Sequence, residues 1–419
     1  PVRYDGSVSL VINIIINKTK ALMGGALNPF VAGVLTLSAV CSLIGCVKKN
    51  VFKGYLASLF NVKPLDAAVR VFAAVLAYLI LFKRGPEMLW SADTGTMMMN
   101  DVVANLIPFF FWAGLFLPLL TQFGLMEFVG NLMRPIMRPL FKIPGRAAVN
   151  CAVAWVGSGT MGIVLTNNEY EDGYYTTREA ALISTGFSIA SIAIVALLCS
   201  FIDMTPHFLA IYLTCIVVGF LMNAILVRIP PISKMPDAYC EGAPTREHSE
   251  RPPEGYTTFG YALESAMKKA EAPKENLLLS GLRVTGDIWF TLEPVVLAMG
   301  TVACVLVYYT PIMEYISMPL MWLMKLLGLA EAAVASQSIL LGGIDIFLPF
   351  ITGAALTSVR TKFVLACVAV LQIIFFSETG PLLIKLKKMQ LGFPRVLLLF
   401  LMRTLLALLL VTPVAYLLF

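Results

Sequence analysis

Charged residues are scarce in this chain, and the patterns that mark common soluble enzymes are missing. Only 13% of the 419 residues are Asp, Glu, Lys or Arg, against about 25% in a typical soluble domain. The sequence contains no Walker A motif, no G-x-S-x-G, no H-E-x-x-H and no Rossmann fingerprint. This composition excludes a soluble enzyme, a nucleic-acid-binding protein and a disordered chain.

Cysteine and histidine are too scattered for a metal or redox site. All of the eight cysteines except Cys240 lie inside apolar runs, and no C-x-x-C pair occurs. A cysteine in such a run acts as a small hydrophobic side chain. The two histidines, His207 and His248, are far apart in sequence. We therefore predict no metal site and no cofactor other than bound Na⁺ or H⁺.

Apolar residues, in contrast, make up 58% of the chain and form long runs. A helix of about 20 mostly apolar residues crosses the hydrocarbon core of a bilayer. This length predicts helices over 27–46, 67–82, 103–126, 178–202, 208–229, 286–310, 360–381 and 395–419. Three amphipathic stretches, 8–24, 127–144 and 312–328, are typical of helices that lie along the membrane surface. The sequence therefore predicts an all-α, polytopic integral membrane protein.

Two further apolar stretches, 147–176 and 331–357, are each interrupted by a polar, glycine-rich break. The first break covers residues 157–162 and the second covers 337–345. Glycine allows the backbone to turn, but unpaired backbone groups cannot face lipid. Such a break must therefore be buried in protein or line a wet cavity. We predict that both stretches are re-entrant helical hairpins.

The distribution of basic residues supports re-entry. If each hairpin returns to the side from which it entered, most Lys and Arg residues lie on one side of the membrane. The cytoplasmic loops are then 47–66, 127–147, 165–178, 228–283 and 384–395. The opposite side has few basic residues: Lys83, Arg84, Lys325, Arg360 and Lys362. By the positive-inside rule, the first hairpin is predicted to enter from the cytoplasm and the second from outside.

This orientation produces an inverted internal repeat. Each repeat has a membrane helix, a surface helix, a hairpin and two more membrane helices, and the helix prolines Pro108 and Pro294 correspond. Inverted repeats with broken helices are typical of secondary transporters, whose substrate site lies at the midplane between the repeats. The predicted domains are 1–102 (N-terminal transmembrane helices), 103–229 (repeat 1), 230–285 (cytoplasmic linker with an amphipathic helix) and 286–419 (repeat 2).

Two further expectations concern the linker and the start of the chain. The linker 230–285 is the largest soluble part of the chain, and a regulatory domain is the alternative interpretation of it. The chain starts at Pro1 without a methionine, so we expect a native segment before it.

The motifs around the two hairpins resemble a known family. They are 174–180 (YYTTREA), 184–188 (STGFS), 343–349 (GIDIFLP), 370–372 (VLQ) and 376–380 (FSETG). They resemble bacterial membrane proteins with a nucleoside-recognition Gate domain, in particular the YjiH type, over roughly 103–229 and 286–385. The Gate domain is similar to parts of concentrative nucleoside transporters and of the iron transporter FeoB, whose GTPase domain we do not find here. The resemblance implies two Gate repeats and a nucleoside-like substrate.

Three acidic residues in predicted membrane segments are candidates for ion coupling. Glu293 precedes Pro294, which frees a backbone carbonyl one turn back; Asp345 follows a Gly-Gly pair; Glu378 lies near a helix end. Because a charge in the membrane is costly, each is expected to take up a proton or to coordinate Na⁺. The alternatives are that Asp345 caps a half-helix and that Glu378 is an interfacial charge. Arg403 is expected to pair with a carboxylate or to snorkel.

Neutral polar side chains form the predicted substrate site. At the hairpin tips and on helices 178–202 and 360–381, they suit hydrogen bonds to an uncharged or zwitterionic solute. The candidates are Ser158, Thr160, Ser184, Ser188, Gln337, Ser338 and Gln372. For the serine and threonine stripe, close helix packing is the alternative. The acidic run 167–172 is expected at the cytoplasmic mouth of the first hairpin, with a solvated loop as the alternative.

These patterns predict a secondary-active transporter of a small polar solute in the bacterial inner membrane. Coupling to H⁺ or Na⁺ would drive alternating access around a midplane site. The alternatives are a non-transporting scaffold or sensor subunit and a passive channel, whereas an enzyme is not expected. The expected partners are the solute, the lipid bilayer, and either a second copy of the chain or a companion Gate-domain protein.

Overall fold

The structure is a computed structural model, and its described part is almost entirely helical. It describes residues 2–419 apart from 5, 6, 10, 49, 50, 157, 158, 191, 243–254, 272–275 and 378. A short antiparallel pair, β1 (Val2–Tyr4) and β2 (Ser7–Ser9), precedes the helices. The helices of the first half are α1 (Val11–Met23), α2 (Leu27–Val47), α3 (Tyr55–Phe60), α4 (Pro64–Phe82), α5 (Glu87–Trp90), α6 (Gly95–Met97), α7 (Ala104–Thr121), α8 (Leu125–Phe141), α9 (Ala147–Val156), α10 (Gly159–Glu171), α11 (Thr177–Gly186), α12 (Ile192–Phe201) and α13 (Phe208–Leu226). Those of the second half are α14 (Thr258–Glu271), α15 (Leu277–Asp287), α16 (Glu293–Tyr309), α17 (Ile312–Leu326), α18 (Ala332–Leu341), α19 (Leu348–Thr352), α20 (Val359–Gln372), α21 (Thr379–Lys385) and α22 (Phe393–Leu418).

The described residues contain six helical segments long and apolar enough to cross a bilayer. They are Lys18–Val47, Pro64–Phe82, Glu87–Phe116, Thr205–Leu226, Leu277–Tyr309 and Phe393–Leu418. The predicted all-α, polytopic membrane fold is therefore confirmed. The two predicted helices 178–202 and 360–381 are absent from this set because each is broken in the structure into two shorter helices.

The same order of elements occurs twice along the chain. In the first half it runs from α7 to α13, and in the second half from α16 to α22. Each series consists of a long helix, an amphipathic helix, a pair of helices, a broken helix and a final helix. A π-helical segment precedes each series, at Met98–Val103 and Ile288–Leu292. The inverted orientation of the two series and the re-entrant paths stay predictions.

The chain forms two compact units that each combine segments distant in sequence. Unit 1 contains Pro1–Pro118, Glu275–Leu326 and Ala332–Thr352. Unit 2 contains Leu119–Lys274, Leu327–Glu331 and Gly353–Phe419. The first hairpin therefore belongs to unit 2 and the second to unit 1. The predicted repeats follow the sequence order, whereas the compact units combine parts of both.

In unit 2, the described part of the linker packs against the body of the unit. The Thr177 N–H donates to the Ala238 carbonyl at 2.9 Å, and the Arg178 N–H donates to the Pro236 carbonyl at 3.2 Å. Helix α14 packs along α8, with the Phe128 and Phe259 rings 5.7 Å apart. These contacts hold residues 236–238 and helix α14 on unit 2, whereas the linker from Glu275 onward belongs to unit 1.

Helix α20 of unit 2 begins at a dense set of hydrogen bonds. The Ser358 hydroxyl caps it by accepting from the Thr361 N–H. The Glu331 carboxylate accepts from the backbone N–H groups of Ser358 and Thr357 at 3.0 and 2.9 Å. These two backbone bonds lower the pKa of Glu331 below its ordinary value of 4.5.

Candidate functional site

The first hairpin consists of two helices, α9 and α10, that pack very closely. A Cβ added at Gly162 on α10 would lie only 2.4 Å from the Ala154 Cβ on α9. Only glycine permits this approach, because any larger residue would push the two helices apart. The two helices lie within the predicted hairpin stretch 147–176, whose re-entrant path stays a prediction.

Glu169 joins the beginning of α9 to the end of α10. Its carboxylate accepts from the Arg146 guanidinium at 2.7 Å, the Asn150 amide at 2.8 Å and the Tyr175 hydroxyl at 2.7 Å. The Arg146 guanidinium also lies over the Tyr174 ring, 3.8 Å from its centroid. The acidic run 167–172 therefore contains a structural carboxylate that joins both limbs and the following loop.

The tip of the first hairpin lies between the two broken helices of unit 2. A Cβ at Gly159 would be 3.0 Å from the Ser188 Cβ and 3.6 Å from the Thr379 Cγ2. Ser188 lies in the break between α11 and α12, and Thr379 is the first residue of α21. The next residue after Gly159 is Thr160, which is half-buried. The start of α10 thus lies against one residue from each of the two broken helices.

The first break interrupts the predicted helix 178–202, and this part of the prediction is wrong. Helix α11 ends at Gly186 and α12 begins at Ile192. The predicted polar stripe is therefore divided. Ser184 is buried and its hydroxyl contacts the Met389 sulfur at 3.7 Å, whereas Ser188 is half-buried in the break beside the hairpin tip.

The second break interrupts the predicted helix 360–381 in the same way. Helix α20 ends at Gln372, and Ile373 has a positive φ of 48° that turns the chain out of the helix. The Thr379 hydroxyl accepts from the Phe375 N–H at 2.9 Å and so closes the intervening loop. The Gln372 amide is fully buried and donates to the Thr404 hydroxyl at 3.0 Å.

Arg403 of α22 is fully buried, and its partners differ from those expected. Its Nε donates to the Leu371 carbonyl at 3.0 Å, and its Nη1 donates to the Thr185 carbonyl and the Asn223 Oδ1, both at 3.1 Å. Within the described part of the chain, no carboxylate lies at ion-pair distance from it. The expected carboxylate partner is thus replaced there by helix carbonyls, and full burial excludes snorkelling.

The second hairpin, in unit 1, has its turn further along the chain than predicted. Helix α18 ends at Leu341 and α19 begins at Leu348. Gln337 and Ser338 therefore lie on the first limb, about one helical turn before its end. The Thr352 hydroxyl on α19 donates to the Ser338 hydroxyl at 2.8 Å, so Ser338 joins the two limbs.

Asp345 lies in this turn, and its position agrees with the capping alternative. Its Oδ1 accepts from the Phe347 N–H at 3.0 Å, just before α19 begins. The side chain is buried, with 5% of the residue exposed. It also interacts electrostatically with Glu293 of α16. Unit 1 therefore brings two of the three predicted coupling residues together.

Glu293 is fully buried, and neither of its carboxylate oxygens has a hydrogen-bond partner in the described part of the chain. It is followed by Pro294, which has no N–H and leaves the Phe290 carbonyl without its helical donor. The Ser38 hydroxyl of α2 donates to this carbonyl at 2.6 Å. The carbonyl that the sequence suggested as an ion contact is thus already paired.

The remaining predictions for the site concern Ser158, Glu378, a metal site and the cysteines. Ser158 and Glu378 lie outside the described residues. Among those described, no cluster of three or more His, Cys, Asp and Glu side chains is arranged to hold a metal ion. All eight cysteines are free thiols, and six of them are buried.

Beside α9 of the first hairpin, unit 2 contains a small apolar cavity of about 20 Å³. Its lining includes Trp155, Phe187 and Asn223. The volume is enough for about one water molecule. It is far below the roughly 300–1,000 Å³ of a typical ligand pocket.

Comparison with known proteins agrees with the resemblance in the sequence. Residues 103–205 match the Gate family, described as nucleoside recognition. The sporulation integral membrane protein YlbJ of Bacillus subtilis is 33% identical over 91 residues, which are 22% of this chain and 21% of YlbJ. Two solved structures of CNTnw, in its intermediate 2 and 3 states, are 14% and 16% identical, with TM-scores of 0.43 and 0.39. The alignment with the intermediate 2 structure covers 96% of this chain and 99% of that chain. The alignment with the intermediate 3 structure covers 95% and 98%, respectively.

The six apolar segments and the family match define an integral membrane protein with a nucleoside-recognition Gate domain. The chain is 38% identical over 424 residues to the uncharacterized protein BpOF4_10220 of Alkalihalophilus pseudofirmus, covering 100% of this chain and 91% of that protein. It belongs to the same family as that protein. These bacterial relatives agree with an inner-membrane location, and the Gate match does not indicate an enzyme. The YjiH subtype stays a prediction.

Proposed function

We propose that this protein is an H⁺-coupled secondary transporter of a small polar, nucleoside-like solute, in which Glu293 and Asp345 carry the coupling proton. The observation on which this rests is the burial of Glu293 without a hydrogen bond to either oxygen in the described part, close to a second carboxylate. The Gate match supports the substrate class through its description as nucleoside recognition.

The surroundings of Glu293 favour a proton over Na⁺ as the coupling ion. An ionised, unpaired carboxylate in an apolar interior is unstable by several kcal/mol, and a second carboxylate nearby adds repulsion. One proton removes both penalties. Bound metal cations need several oxygen ligands, whereas the carbonyl freed by Pro294 already accepts from Ser38. Proton uptake therefore requires no further rearrangement of unit 1.

The solute is proposed to bind at the tip of the first hairpin. Thr160 and Ser188 carry hydroxyl groups in this region, and the helix breaks present further backbone groups. Such groups suit the ribose hydroxyls and base edges of a nucleoside. The cavity beside this hairpin is too small for such a solute, so the tip must move before a nucleoside can bind. Movement of this kind is what alternating access requires.

The experiment is uptake of radiolabelled nucleosides into proteoliposomes that contain the purified protein. We expect an inward H⁺ gradient to drive accumulation, a protonophore to abolish it, and replacement of Na⁺ by K⁺ to have no effect. Glu293→Gln and Asp345→Asn are expected to lose at least about tenfold in gradient-driven accumulation, because a neutral amide cannot carry the proton. The matched control is Glu314→Gln, since Glu314 is exposed on α17.

Exchange of labelled for unlabelled nucleoside separates coupling from binding. The Glu293→Gln protein should keep this exchange, because it needs no net proton movement. Wild-type accumulation that depends on Na⁺, or that is unchanged in both variants, would contradict the coupling proposal. No uptake of any nucleoside by folded wild-type protein would favour the non-transporting scaffold, and unsaturable downhill flux would favour the channel.

A further inference from the structure

Arg403 is a charged side chain that is fully buried in the middle of the last helix. It lies near the centre of the 26-residue helix α22, and none of its surface is exposed. Burying an unpaired guanidinium charge is strongly unfavourable unless something of opposite charge compensates it. The described part of unit 2 has no carboxylate at ion-pair distance from Arg403. In the described part of the unit, its three hydrogen-bond acceptors provide this compensation.

Two of these acceptors are backbone carbonyls near the C-terminal ends of α20 and α11, which are the first halves of the two broken helices. Leu371 is the last residue but one of α20, and Thr185 is the last residue but one of α11. Their carbonyls accept from Arg403 at 3.0 and 3.1 Å. One side chain thus joins the points at which both helices stop.

Both points carry negative electrostatic potential. The C-terminus of a helix is equivalent to about −0.5 of an elementary charge, so two such ends provide about −1. This sum balances the single positive charge of the guanidinium. Asn223 completes the arrangement, because its Oδ1 accepts from Arg403 at 3.1 Å and its Nδ2 donates to the Gly186 carbonyl at 2.7 Å.

The same arrangement of oxygens suits an inorganic cation. In transporters with broken helices, free carbonyls at half-helix C-termini coordinate Na⁺. Here the carbonyls of Leu371 and Thr185 and the Oδ1 of Asn223 converge on one position, and the guanidinium occupies it. We infer that Arg403 is a built-in cation that replaces Na⁺ at the ends of the two broken helices. The wild-type protein therefore needs no Na⁺ there, and removal of the guanidinium creates a Na⁺ site.

The test compares thermal unfolding of the purified full-length protein in NaCl, KCl and choline chloride at equal concentration. Wild type should unfold at the same temperature in all three salts. Arg403→Met should unfold at a lower temperature in KCl and should recover selectively in NaCl. A site with a Kd of about 10 mM, at about 150 mM Na⁺, shifts the folding equilibrium about 16-fold. Arg403→Lys is the matched control and should show no Na⁺ response, because it keeps a cation in place.

A second substitution checks that the new Na⁺ response arises at this position. In the Arg403→Met background, Asn223→Leu removes one of the three oxygens, so the Na⁺ response should fall at least about threefold. If Arg403→Met is lost during purification in KCl, the yield of folded protein in NaCl against KCl becomes the measurement. Equal unfolding temperatures or equal yields of Arg403→Met in the two salts would overturn the inference. This role of Arg403 is independent of the transport proposal, because unfolding is measured without any solute.

Discussion

Two substitutions, Gly162→Ala and Ala154→Gly, together move one methyl group from α9 to α10. They test the packing that holds the tip of the first hairpin in place. Gly162→Ala puts a Cβ 2.4 Å from the Ala154 Cβ, and overpacking of this kind costs about 3 kcal/mol. The higher helix propensity of alanine returns about 1 kcal/mol, which leaves a loss of about 2 kcal/mol. Ala154→Gly loses about 1 kcal/mol of propensity and about 0.8 kcal/mol of buried methyl, again about 2 kcal/mol in total.

The double substitution should recover part of the stability that the single substitutions lose. It carries one methyl and one glycine, as the wild type does, with the methyl on the other limb. The 2.4 Å contact between the two Cβ atoms disappears and the propensity terms cancel, but the new Cβ still lies 2.9 Å from the Cα of residue 154. We therefore expect a loss of about 1–2 kcal/mol, against about 4 kcal/mol for independent effects. The assay is thermal unfolding. Unfolding is monitored by the reactivity of the buried thiols, which become accessible as the protein unfolds. Gly33→Ala is the control, since a Cβ at this exposed position of α2 has no neighbour within 4 Å. A double variant as unstable as the sum of the single variants would refute the close approach of the limbs.

Three further predictions concern single polar contacts. Glu169→Gln should cost about 1–2 kcal/mol in thermal unfolding, because it weakens four bonds to the carboxylate, two of them from the partly exposed Arg146. The pKa of Glu331 is lowered in the folded state, so its contribution to stability is present above pH 4.5 and is lost as the pH falls below this value. The difference in unfolding temperature between wild type and Glu331→Gln should therefore shrink below pH 4.5, and a constant difference would contradict this. Thr352→Val should cost about 1–2 kcal/mol by leaving Ser338 without its donor, and adding Ser338→Ala should recover most of the loss.

The sequence predicted the elements of this fold well where hydrophobic length and period were the signal. The surface helices 127–144 and 312–328 correspond to Leu125–Phe141 and Ile312–Leu326. Their alternation of apolar and charged residues is local, so it can be recognised without tertiary contacts. The helix pairs α9–α10 and α18–α19 fall within the two predicted hairpin stretches, since glycine at a close approach is visible in the sequence, and their re-entrant paths stay predictions.

The candidate site was predicted less completely because its partners come from remote parts of the chain. Pro294 indicated that the Phe290 carbonyl needs a donor, but nothing local identified Ser38, which lies 252 residues away. The turn of the second hairpin was placed too early because Gln337 and Ser338 are polar. In the structure, the polar group of Ser338 accepts from Thr352 on the other limb, so polarity there reflects packing between limbs.

The two helix breaks explain why the described partners of Arg403 are carbonyl oxygens. The stretches around Phe187 and Ile373 are apolar enough to continue a helix, so composition alone predicts unbroken spans. A break becomes stable only when the carbonyls at the helix ends find donors. In unit 2 these donors come from Arg403 and Asn223, on helices that follow much later than α11 in the chain. The buried arginine and the broken helices therefore explain each other: the helix ends supply the negative potential that the guanidinium needs, and the guanidinium pairs the carbonyls that the breaks expose.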